Sequence, residues 1–217
     1  MKKLYEYHRD VYSQNGEDGI IEYIFEKLGI NGGILLEIGA WDGFYLSNTA
    51  NIWSKNKNFK SVLIESTDNL NVGELESKFE NVNCFLEMAS LDNGLDAILD
   101  KSKFEIDNNN FVLASIDIDG DDLNVTKSLG KYKPMVLVIE SNGSFINNID
   151  SAGSSITDIV GFGESIGYEF IGMSGIVNQQ VGNIFLIRKD LKDKFEITEL
   201  NWFERGILTS GGIVYKN

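Results

Sequence analysis

Seven short apolar runs, most of them closed by an acid or a glycine and separated by segments of helical periodicity, constrain this chain more than any other feature. Gly33 to Glu37, Ser61 to Glu65, Val82 to Leu86, Phe111 to Asp117, Met135 to Glu140, Tyr168 to Gly172 and Asn183 to Arg188 read as strands. Runs that are apolar throughout belong to strands covered on both faces. Helical spacing appears over Gly19 to Leu28, where Ile20, Ile21, Ile24, Phe25 and Leu28 recur at three- and four-residue steps. Further helices are expected at about 70–79, 91–99 and 155–166. This alternation predicts an α/β fold with a doubly wound, mostly parallel seven-stranded sheet.

No linker, repeat or long low-complexity stretch divides the 217 residues, so one domain is expected over 1–217. Its parts would be an N-terminal helical cap or lid at 1–30, a core at 31–190 and a C-terminal extension at 191–217. A 42% hydrophobic content supplies a core without covalent staples. The 33 acids against 19 Lys and Arg give a net charge of −14, which argues against nucleic acid or an anionic membrane as partner. Cys84 and His8 are each the only residue of their type, which removes disulfides, Cys-based zinc sites and multi-histidine metal centres, and makes a Ser-His-Asp arrangement a poor reading. With one proline and 22 glycines, turns fall to Gly, Asn and Asp. No run approaches the roughly 20 apolar residues of a membrane span, and no apolar leader follows Met1, so a cytoplasmic location is expected.

In an open α/β sheet, ligands bind beyond the carboxyl ends of the strands, at the switch point. Acids gather there: Glu37 and Asp42 around strand one, Glu65 at strand two, Asp117 and Asp119 at strand four, Glu140 at strand five. A buried, unpaired acid is costly, so each implies a ligand, a metal or a backbone N–H. Glu37-Ile-Gly39-Ala40-Trp41-Asp42-Gly43 allows a tight turn and close backbone approach. Its acids suit a cationic ligand better than a phosphate. Glu65 is placed to accept from ribose hydroxyls. A positively charged nucleoside without phosphates, such as S-adenosylmethionine (SAM), fits the set.

Those residues resemble motif I and the ribose acid of Rossmann-like SAM-dependent methyltransferases. Tyr12-Ser-Gln-Asn-Gly-Glu-Asp-Gly-Ile20, the Trp-Asp-Gly loop followed by Leu46-Ser-Asn48, and Ser115-Ile-Asp-Ile-Asp-Gly-Asp121 together resemble the FkbM-type methyltransferases, over about 12–142. The chain departs from that pattern at Asp121-Asp122-Leu123 and after Glu140, which bears on the substrate. The resemblance implies methyl transfer to a hydroxyl of a small polar acceptor, a sugar or related metabolite. The expected cofactor residues are Gln14, Glu37, Gly39, Ala40, Trp41, Asp42, Gly43, Asn48, Glu65, Ser66 and Asp117.

Two chemistries fit the ends of strands four and five. Asp117, Asp119 or Glu140 takes the acceptor proton as a base while the methyl group moves in line. Alternatively, Asp117, Asp119, Glu140 and Asn142 hold Mg²⁺, a hard cation suited to oxygen ligands. Asp117 to Asp122 fails the EF-hand spacing. The Ser13 to Asp18 segment either caps the first helix or folds over the cofactor as a lid. Trp41 either covers the adenine or fills a core gap. Asp92 and Asn93 lie where adenine contacts are expected, although Asp92 equally suits an N-cap. His8 reads as a surface histidine and Cys84 as a small buried hydrophobe. The aromatics of Asn201 to Gly206 suit a pocket cover or a homodimer contact. The alternatives in function are a non-catalytic SAM or nucleoside-binding module and, less favoured without G-x-G-x-x-G, a nicotinamide-dependent oxidoreductase.

Overall fold

The computed structural model describes residues 4–143, 153–175 and 182–194. The extension expected at 191–217, with its Asn201 to Gly206 aromatics, lies almost wholly outside the described residues.

All seven expected strands form: β1 Gly33–Ile38, β2 Phe59–Glu65, β3 Val82–Leu86, β4 Phe111–Ile116, β5 Val136–Glu140, β6 Tyr168–Met173 and β7 Asn183–Arg188. They make one sheet in the order β3-β2-β1-β4-β5-β7-β6. The pairs among β1 to β5 are parallel, while β7 runs antiparallel to both β5 and β6. The helices are α1 Glu17–Leu28, α2 Ala50–Trp53, α3 Val72–Lys78, α4 Leu95–Leu99, α5 Asp122–Lys127 and α6 Ile156–Ser165. Two 3-10 turns, Leu4–Tyr7 and Lys189–Lys194, flank them.

Side chains alternate across each strand, and the sheet separates two cores accordingly. Leu35, Leu63, Leu113, Val138 and Phe185 face α1, α2 and α3 through Ile20, Ile24, Trp53 and Leu75. Leu36, Ile64, Ala114, Leu137 and Leu186 face the other layer through Leu95, Ile98, Val125, Ile159 and Val160. Strands buried on both sides are apolar at most positions, hence the near-continuous runs, with Glu37, Ser61 and Ser115 among the buried polar exceptions. α1 stops at Gly29, whose left-handed backbone (φ 70°) lets its N–H return to the Phe25 and Glu26 carbonyls. Asn71 and Ser155 cap α3 and α6 by accepting from the backbone N–H of Glu74 and Asp158.

The helices expected at 70–79 and 91–99 are shorter, because their first residues are turns. Asn93 Nδ2 donates to the Met88 carbonyl and Leu95 N–H donates to Ser128 Oγ, so α4 begins only after Gly94. β1 pairs with β2 on one side and β4 on the other. The chain therefore reverses its winding at β1 and β4, and the crevice beyond those carboxyl ends is the switch point.

Candidate functional site

A cavity of about 550 Å³ opens at that crevice. Its floor is the turn after β1. Gly39 has φ 78°, and a Cβ there would lie 1.7 Å from the Asp117 carbonyl oxygen, so only glycine lets the β1 and β4 ends come this close. The Gly39 and Ala40 N–H groups donate to the Ile64 carbonyl at 3.0 and 3.2 Å, tying the turn to β2.

Glu65 sits one strand over and is buried. Its Oε2 accepts the Trp41 N–H at 2.9 Å, while Oε1 accepts the Ser66 and Thr67 N–H groups at 2.8 and 2.9 Å. The carboxylate thus clasps two turns together and still lines the cavity. Trp41, held at φ 49°, puts a half-exposed indole on the rim, 6.5 Å from the Tyr45 ring. Of the two sequence readings for Trp41 the core filler is excluded by this exposure.

Glu37 lies deeper. It accepts from the Ser47 hydroxyl at 2.7 Å, the Asn48 N–H at 2.7 Å and the Thr49 hydroxyl at 2.5 Å. Burial pushes its carboxyl up to about 7; these hydrogen bonds oppose the shift and the nearby Asp117 adds to it. Asn48 also donates through Nδ2 to Ser115 Oγ at 2.9 Å, which joins the loop to β4.

Asp117 and Glu140 meet across the β4 and β5 ends, with carboxylate oxygens within 4.8 Å of each other. Two carboxylates this close repel each other when both are ionised, which favours a proton held between them. Both are held above the usual carboxylate range, first by burial; each then feels Asp119 and Asp122, and Asp117 also feels Glu17. Asp122 completes a trio of carboxylate oxygens within 4.8 Å of one another. This differs from the set expected for a cation. Asp119 is turned by its left-handed backbone (φ 58°), and Asn142 donates through Nδ2 to the Gly153 carbonyl at 3.1 Å. Asp122 takes their place because it opens α5 and accepts the Ile118 and Gly120 N–H groups at 2.7 and 3.1 Å.

Of the expected cofactor residues, Gln14, Glu37, Gly39, Trp41, Asn48, Glu65, Ser66 and Asp117 line the cavity. Ala40, Asp42 and Gly43 do not. Asp42 turns its carboxylate to the Phe44 and Tyr45 N–H groups at 2.8 and 2.7 Å, and a side chain on Gly43 would meet Leu75 and Leu63. Their role is to build the turn. Asp119, Asp121 and Glu140 face the cavity as well.

Sequence reasoning missed Thr67 and the segment Glu87 to Ser90, which form the wall past β2 and β3. Their only signal was position, immediately after strands that end on the binding edge. Asn93 shapes this wall by donating to the Glu87 carboxylate and the Met88 carbonyl, and does not itself line it. Exposed Met88 and Leu46 extend the apolar rim begun by Trp41. His8 packs its ring into the space left by the missing side chain of Gly16, away from the cavity. Cys84 is buried, which pushes its thiol up to about 12 and leaves it inert.

Seven carboxylates (Glu37, Glu65, Glu87, Asp117, Asp119, Asp121 and Glu140) line the cavity, and no Lys, Arg or His does among the described residues. No described helix is long and apolar enough to cross a membrane.

No protein-family model and no curated protein sequence matches the chain. Solved structures do match. The CurJ carbon methyltransferase superposes with a TM-score of 0.52 at 12% identity, covering 82% of this chain and 56% of that one. The N-terminal domain of EvdMO1, crystallised with S-adenosylhomocysteine bound, gives 0.50 at 14% identity over 82% of each chain. Magnesium protoporphyrin IX methyltransferase (ChlM) from Synechocystis PCC 6803, with bound SAM, gives 0.49 at 11% identity over 79% and 77%. At these identities the likeness is one of fold: the chain has the Rossmann-like architecture found in SAM-dependent methyltransferases.

Proposed function

We propose that this protein is a SAM-dependent methyltransferase of the FkbM type that methylates a hydroxyl of a small polar acceptor, a saccharide or related metabolite. The observation that carries the reading is the Glu65 clasp beside the Gly39 turn. It presents a buried carboxylate and close-approaching backbone at the switch point, with acids and, among the described residues, no Lys, Arg or His around them. Glu65 and Ser66 receive the ribose hydroxyls. Trp41 and Met88 flank the adenine. Gln14, Asn48 and the β1 turn meet the amino-acid end, and the acidic wall attracts the sulfonium.

Asp117 and Glu140 serve as the base. A carboxylate pair that holds one proton has a second site ready for the acceptor's, with an affinity raised towards neutrality. The acceptor oxygen then attacks the methyl carbon in line, the carbon–sulfur bond breaks, and the proton passes to the pair. Alignment of the two substrates supplies most of the rate. Shared-proton chemistry is favoured over Mg²⁺ because Asp122, the third oxygen of the trio, is already committed to two backbone N–H groups. The same structure would serve a non-catalytic SAM-binding module if the Asp117–Glu140 pair met no acceptor.

Calorimetry with S-adenosylhomocysteine and turnover of labelled SAM against a panel of saccharides test the reading. Binding lost in Glu65→Ala, with turnover unaffected by EDTA dialysis, is expected. Unchanged affinity in Glu65→Ala would sink the ribose assignment, and binding without turnover on any acceptor would favour the module.

A further inference from the structure

The segment from Asp10 to Asp18 brings Gln14 to the cavity, and three acids fix how it does so. Asp18 is buried, and its Oδ2 accepts the N–H groups of Val11, Tyr12 and Ser13 at 2.7, 2.8 and 2.9 Å, with the Ser13 hydroxyl at 3.0 Å. Its other oxygen, Oδ1, is buried without a hydrogen-bond partner. On the solvent side, Asp10 Oδ1 accepts the Gly16 N–H at 2.6 Å and the Ser13 hydroxyl at 2.8 Å.

Glu17 anchors the far side of the loop. Its Oε2 accepts the Asn15 N–H at 2.8 Å, and its Oε1 accepts from the Ser174 hydroxyl at 2.5 Å and Asn183 Nδ2 at 3.0 Å. Ser174 follows β6, and Asn183 opens β7 directly opposite Glu140. The Gly175 N–H adds a bond to the Asn15 carbonyl at 3.1 Å. Two glycines leave no slack beneath. A Cβ on Gly16 would lie 2.2 Å from the His8 ring, and one on Gly19 would lie 2.2 Å from the Tyr7 carbonyl. Backbone N–H groups captured by buried carboxylates do not need a ligand to order them.

We propose that Asp18 and Glu17 are positioning residues that hold Gln14 as a preformed wall of the cavity, registered to the strand ends that carry Glu140. The segment is then a fixed part of the binding site, and the lid reading falls. This inference rests on the cofactor reading of the cavity.

Hydrogen exchange across 11–13, together with calorimetry using S-adenosylhomocysteine, tests it. In the wild type these N–H groups should be protected equally with and without S-adenosylhomocysteine. Asp18→Ala should lose that protection and weaken binding at least tenfold. Gln14→Ala should weaken binding and keep the protection. Asp18→Asn should recover both properties, because the hydrogen bonds converge on one oxygen and the position of the other has no partner to offend. Should Asp18→Ala fail to fold, Asp10→Ala removes the exposed half of the same clamp and should show the same pairing of effects to a lesser degree. Protection that appears only when S-adenosylhomocysteine is added, or full affinity in variants that have lost protection, would overturn the positioning role alone. A wild type that is protected but binds no S-adenosylhomocysteine would overturn the cofactor reading, and Gln14's part with it.

Discussion

Replacing Glu37 by Gln isolates the electrostatic cost of the β1 end. The carboxyl is fully buried, and its pKa rises from 4.5 to about 7 in the folded protein. An acid whose folded pKa is raised binds its proton more tightly in the native state, so its contribution to stability is complete below about pH 4.5. That contribution is lost as pH rises through 7. At about 1.4 kcal/mol per unit, the wild type forfeits about 3 kcal/mol across the window, most of it, about 2.5, between pH 5 and pH 8. Gln does not titrate. It can keep its oxygen on the Asn48 N–H and turn its amide towards the Thr49 hydroxyl, which can accept as well as donate. Urea unfolding of both proteins at several pH values reads the difference directly. Asp117, Asp122 and Glu140 also titrate with burial, but they are present in both proteins and largely cancel. The variant should gain about 2–3 kcal/mol on the wild type between pH 5 and pH 8. Parallel stability curves would show that the three hydrogen bonds hold the carboxylate ionised throughout, and would refute the argument.

Gly39→Ala should cost about 3 kcal/mol or more, adding left-handed strain to a collision with the Asp117 carbonyl. Urea melts would show it, and affinity for S-adenosylhomocysteine should fall with it; a melt like the wild type's would mean that the β1 and β4 ends can separate cheaply. Asp117→Asn removes a like charge beside Glu140, so the Glu140 limb of a carboxyl NMR titration should move to lower pH while the burial part of the shift stays. A limb that stays in place would mean that Glu140 titrates independently of its neighbour.

The strands were legible because burial on both faces leaves a signal that needs no periodicity. Phe111 to Ile116 is buried at every position, and so is the sequence that encodes it. Direction was not legible in the same way. Nothing in Asn183 to Arg188 says that β7 runs antiparallel between β5 and β6, since an apolar run reads alike from either end. α2 and α5 were also invisible: four and six residues complete too few turns to establish a helical period. Their ends are set by tertiary contacts, such as the Ile118 and Gly120 N–H groups meeting Asp122, which a one-dimensional pattern does not carry.

At the site, the sequence located the acids but not how each is used, and the structure divides them by what their oxygens accept. Asp42, Glu65, Asp122, Asp18, Asp10 and Glu17 each take one or more backbone N–H groups within turns that a chain with one proline must build by other means. Part of the −14 charge is therefore structural: carboxylates do here what prolines and tight caps do elsewhere. Asp42 looked like a ligand contact from sequence because an acid that closes a turn and an acid that meets a ligand occupy the same kind of loop. The same accounting narrows the chemistry. Glu37 is held by loop donors, Glu87 by Lys101 and Asn93, and Asp121 by the Asn124 amide. Among the cavity's acids this leaves Asp117, Glu140 and Asp119 as those the described hydrogen bonds do not commit to a backbone N–H, a lysine or a side-chain amide. Of these three, Asp117 and Glu140 stand side by side and are both held above the usual carboxylate range by burial and by the charge of neighbouring acids, which makes that pair the place where a proton can be taken up without dismantling a turn.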